Sequence, residues 1–98
     1  MAKVTVFQLA EEDITSIFRY IAQDNLQNAN MILDKLEEAF EQLERFPLSG
    51  AECRDDMLRV KGYRILVVEK FLILHTATKD VVHVMRVVHG ASRYEKLL

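Results

Sequence analysis

Apolar residues recur at spacings of three and four through the first half of the chain, and then collect into unbroken runs in the second. Ile14, Ile17, Phe18 and Ile21 share one helical face, and Ala29, Ile32, Leu33, Leu36, Ala39, Phe40 and Leu43 repeat the pattern over a longer stretch. The spacing predicts helices near 10–23 and 27–46, with caps on offer at Asp24 and Asn25 and a stop at Pro47-Leu48-Ser49-Gly50. Glu11-Glu12-Asp13 would then sit in a first helical turn, where the helix dipole favours acids. Val4–Gln8 is β-branched and aromatic and predicts a short strand. After Met57 the runs Tyr63–Val68, Phe71–Thr78 and Val81–His89 are joined only by Glu69-Lys70 and Lys79-Asp80, which predicts an antiparallel meander of three strands.

A strand, a helical hairpin and a meander define an α+β class, in which the antiparallel hairpin packs on one face of a small antiparallel β-sheet and the N-terminal strand joins an edge. Residues 1–98 are expected to form one domain. Two helices cover only one face of such a sheet. The polar residues that interrupt the strands, Arg64, His75, His83, Arg86 and His89, are expected on the other. Tail residues 92–98 are expected to form a helical turn or a strap.

The formal charge of −2 conceals a split between the two halves. Residues 1–56 hold five basic against twelve acidic side chains, −7, whereas residues 57–98 hold eight against three, +5. A contiguous surface built from the second half would attract phosphate. The acidic face of the second helix, Asp34, Glu37, Glu38, Glu41 and Glu44, is most simply a solvated one. Cys53 is the only cysteine, so no internal disulfide forms, and no run approaches the ~18 apolar residues of a membrane helix. A cytoplasmic location, with no membrane partner, is the expectation. A chain of 98 residues is also too short for a deep cofactor pocket, and Gly50, Gly62 and Gly90 are isolated rather than gathered into a phosphate loop.

Metal-free phosphodiester cleavage needs a base, an acid and cations for the phosphorane, and His, Tyr, Lys and Arg supply all three. The candidates are Arg64, His75, Arg86, His89 and Tyr94, with Lys61, Arg64, Arg86 and Arg93 as target-binding cations. Regular alternation along the last strand puts Val84, Arg86 and Val88 on one side and His83, Met85, Val87 and His89 on the other, which divides the set unless a bulge intervenes. No cysteine pair or helical His-x3-His spacing supports a metal, and no cofactor is expected.

Taken in order, Leu9-Ala10-Glu11-Glu12-Asp13-Ile14, Tyr20-Ile21-Ala22, Asn25, Ala29, Phe46-Pro47-Leu48-Ser49-Gly50, Gly62–Val68, Phe71–His75 and Met85–Tyr94 resemble the RelE/ParE toxins nearly end to end. The resemblance implies the toxin of a type II toxin–antitoxin pair, which arrests growth until its cognate antitoxin covers it by strand addition or with an amphipathic helix. A toxin this small leaves apolar surface exposed when free of antitoxin, so the free chain is expected to form homo-oligomers. ParE-like members inhibit DNA gyrase and cleave nothing; RelE-like members are mRNA interferases that cut ribosome-bound mRNA without metal. Tyr20-Ile21-Ala22 and His89-Gly90-Ala91 bring the chain closer to the ParE branch. An mRNA endonuclease, and an inactive relative that only binds antitoxin, stay as alternatives.

Overall fold

The computed structural model describes residues 1–98. Strand β1 spans Lys3–Val6, helix α1 Gln8–Ala22 and helix α2 Leu26–Arg45. A two-residue strand, β2 (Ala51–Glu52), and a short helix, α3 (Asp56–Val60), lead into β3 (Tyr63–Val68), β4 (Phe71–Ala77) and β5 (Val81–His89). A 3-10 turn at Tyr94–Lys96 follows. The long elements fall within two residues of the spacing-based expectation. Asn25 caps α2 by accepting the Asn28 N–H at 3.0 Å, so Asn25→Ala should cost about 1 kcal/mol in a denaturant titration.

The sheet runs β1-β5-β4-β3-β2. β1 is parallel to β5, while β2, β3, β4 and β5 are joined antiparallel. The hairpin lies on one side, where Ile32, Leu36 and Leu43 of α2 pack with Ile73, Val82, Val84 and Val87 of the sheet. Two elements escaped the apolar pattern. β2 is too short to show alternation. α3 is a single turn and a half, held by the Asp55 carboxylate accepting the Leu58 N–H at 3.0 Å and by burial of Leu58.

One local expectation changes, and one expected link shows an unusual backbone. α1 begins at Gln8, so Asp13 lies beyond the first turn and faces inward, away from the dipole end that was expected to hold it. The β3–β4 link places Glu69 at φ 54°, a left-handed backbone that a hairpin of this length demands and that glycine or asparagine would adopt more easily. No helix is long and apolar enough to cross a membrane.

Candidate functional site

Strand register decides which candidates meet. Residues paired across strands share a side of the sheet, and Arg64 pairs with His75, Phe71 with His89 and Leu74 with Arg86. Arg64, His75 and His89 therefore lie on the side of Ile73 and Val87, which is the helical side. They do not reach the open face expected of them. A bulge is responsible for the rest of the sorting: Leu74 opposes Arg86 while His75 opposes Val84, which leaves Met85 unmatched. Past that extra residue the alternation reverses. Arg86 and Val88 come to share the open side with His83, and Val84 stays on the helical side, contrary to a regular strand.

Arg86 is not a free cation. Its Nε and Nη2 donate to the Asp13 carboxylate at 2.7 and 2.9 Å, the bidentate fork that holds arginine most firmly, and Nη1 donates to the Leu97 carbonyl at 3.4 Å. Asp13 also accepts the Val87 backbone N–H at 3.0 Å. The two side chains are only 19% and 16% exposed. Hydrogen bonding to Asp13 raises the guanidinium pKa, which keeps its charge fixed. Asp13 was missed as a site residue. Its signal was present, because Asp13, Ile17 and Ile21 are spaced by four and so lie in one apolar stripe.

Arg64 donates from Nη2 to the Gly50 carbonyl at 3.1 Å, and Nη1 lies 3.9 Å from Glu52. His75 beside it is wholly buried, and neither ring nitrogen has a hydrogen-bond partner. Burial first, then the Arg64 charge, lowers its pKa to about 4. A neutral, sealed imidazole of this kind reaches no substrate proton. His89 is exposed at the end of β5, edge-on to Phe71 with ring centroids 5.8 Å apart, and its Nδ1 accepts the Ala91 N–H at 3.0 Å. On the open side His83 lies against Phe7 at 5.1 Å. Tyr94 is half-buried, and burial, then the neighbouring Cys53, Glu95 and Asp55, raise its phenol pKa. Lys61 and Arg93 are exposed and without an ion pair. Three arginines of the basic half thus face carboxylates of the acidic half: Arg59 with Asp56, Arg64 with Glu52 and Arg86 with Asp13. The field inferred from sequence is partly cancelled where it was expected to be strongest.

Two depressions flank the Asp13–Arg86 pair. A groove of about 880 Å³ runs between the hairpin and the far end of β5, with Ile17, Tyr20 and Ile21 of α1, Met31 of α2, Phe71 and Val87 in its walls and Asp13 at its edge. A smaller one, about 340 Å³, lies on the open side among Phe7, Leu9, Tyr63, Met85, Arg86 and Leu97. Apolar side chains dominate the smaller one and make up just over half of the larger. Tyr20 is 74% exposed and Met31 44%, so the larger groove presents apolar surface to a partner.

A helical hairpin packed on a five-stranded, mostly antiparallel sheet defines a small α+β domain with two open grooves. The family model for the ParE toxin of the type II toxin–antitoxin system parDE matches residues 4–94, and the chain belongs to that family. It is a ParE-like toxin of a type II toxin–antitoxin system. Among solved structures it is similar to a chain of the chromosomal ParDE system from P. aeruginosa, with a TM-score of 0.71 and 18% identity over 91% of this chain and 96% of that one. At that identity the likeness concerns the fold. Among curated proteins no sequence match was found.

Proposed function

We propose that the whole of residues 1–98 acts as a single toxin domain that arrests growth by binding DNA gyrase, without cleaving nucleic acid. The observation that carries this is the bidentate pairing of Arg86 with Asp13, which neutralises the cation best placed to stabilise a phosphorane. The scatter of the other candidates points the same way. His75 is sealed, Arg64 is held by Gly50 and Glu52, and His89 faces the side opposite Arg86. Of the four target-binding candidates, Lys61 and Arg93 are the ones left free for a target surface.

The cognate antitoxin covers the groove between hairpin and β5 with an amphipathic segment whose apolar side chains meet Tyr20, Met31 and Phe71. Without it the exposed apolar surface favours self-association. Both partners put the protein in the cytoplasm, where its one thiol, Cys53, stays reduced. The purified toxin is expected to inhibit gyrase supercoiling and to leave mRNA on translating ribosomes intact. Cut transcripts with unimpaired supercoiling would reverse the assignment in favour of the mRNA endonuclease. Neither effect, with antitoxin binding retained, would leave an inactive relative.

A further inference from the structure

We propose that Asp13 is a positioning residue for antitoxin binding: it stands in for the strand that β5 lacks and so sets the distance between α1 and β5, the two walls of the large groove. The inference rests on antitoxin docking in that groove. Its foundation is the uneven length of the sheet edge. β1 pairs with β5 only from Val81 to Val84, and the last rung on that side is the Phe7 N–H donating to the Val84 carbonyl at 2.9 Å. Beyond it the outer edge of β5 has no partner strand as far as His89. An unpaired edge normally invites another strand.

Here α1 takes that place. The Asp13 carboxylate accepts the Val87 N–H at 3.0 Å, as a neighbouring strand's carbonyl would, and the same carboxylate grips Arg86 one residue earlier. The Met85 bulge makes the double grip possible, because it turns Arg86 to the open side while Val87 still points its side chain at the core. Three hydrogen bonds then fix one point of α1 against one point of β5. Ile17, Tyr20 and Ile21 lie one and two turns further along α1 and form the groove wall, so a shift at Asp13 is carried to them by the stiffness of the helix. Arg86 also reaches the Leu97 carbonyl, which ties the C-terminal segment to the same point.

A residue that only stabilised the fold would lower the melting temperature and leave the affinity of folded protein unchanged. A positioning residue moves affinity as well. The experiment uses the full chain and the antitoxin encoded beside it, with titration calorimetry well below the melting temperature, thermal melts, and hydrogen exchange at the Val87 amide. Asp13→Asn, which is nearly isosteric but uncharged, and Arg86→Gln should each weaken antitoxin binding by about tenfold or more. The double variant should be little worse than either single one, because the pair acts as a unit. Exchange at Val87 should quicken in Asp13→Asn. Met31→Glu, on α2 and away from the Asp13–Arg86 pair, tests the groove itself. If Met31→Glu binds as tightly as wild type, docking in the groove is wrong. If Met31→Glu weakens binding while folded Asp13→Asn and Arg86→Gln keep wild-type affinity, only the positioning role is overturned. Should Asp13→Asn fail to fold, Arg86→Gln with the Val87 exchange rate decides the same question.

Discussion

Gly50→Ala is expected to destabilise the toxin by roughly 2–4 kcal/mol, combining a left-handed backbone penalty with overpacking against a neighbouring strand. Gly50 has φ 88°, and a Cβ there would collide with the Ile65 carbonyl oxygen while lying 2.8 Å from its carbonyl carbon and 3.2 Å from the Leu66 Cα. All three are backbone atoms of β3, so no side-chain rotation relieves the contact. The position matters to the site because the Gly50 carbonyl accepts from Arg64, and Arg64 in turn faces His75. Gly62 provides the control. It has the same φ of 88°, but a Cβ there meets nothing within 4 Å. Gly62→Ala should therefore show the conformational cost alone, about 1 kcal/mol. Denaturant titrations of the two variants separate close approach from backbone conformation, and equal losses would remove the steric half of the account.

Hydrophobic spacing made the frame legible because the long elements each bury a periodic face: Ile32, Leu36, Ala39 and Leu43 are buried on α2, and Ile73, Val82, Val84 and Val87 on the strands. The resemblance to RelE/ParE toxins named the family to which the chain belongs. The site was less legible, and for physical reasons. Alternation assigns faces only while the ladder is regular, and one unmatched residue, Met85, reverses every assignment beyond it. No sequence pattern marked that bulge. Charge counting by halves also presumed that the halves stay apart in space. The fold instead brings Asp13, from α1, to Arg86 of β5, 73 residues later, and so cancels one of the four cations expected to bind a target. His75 is closed off in a similar way, whereas His89 stays exposed at the end of β5. A strand histidine next to an arginine reads as a catalytic kit, yet the register turns both toward the helices, where packing leaves no room for substrate.

His75 should make the toxin sensitive to mild acid. The ring is fully buried, neither nitrogen has a partner, and burial followed by the Arg64 charge lowers its pKa from 6.5 to about 4. In the unfolded chain the same group titrates near 6.5, so between the two values the unfolded state binds a proton that the folded state refuses. Stability is then complete above pH 6.5, falls as the pH drops through that value, and levels off below about 4. The integrated loss from this one group is about 3 kcal/mol at most. Other acidic groups change charge over part of the same pH range, so the wild-type curve alone does not isolate the histidine. His75→Leu does. Leucine is close in volume, stays uncharged and removes both unpartnered nitrogens, so at pH 7 the variant should be as stable as wild type or slightly more so. Its stability, measured by urea titration from pH 7 to pH 4, should fall less steeply than wild type, with the gap opening below pH 6.5. Parallel curves for the two proteins would mean that the ring is hydrated or charged in the folded state, and the buried, neutral assignment of His75 would have to be abandoned.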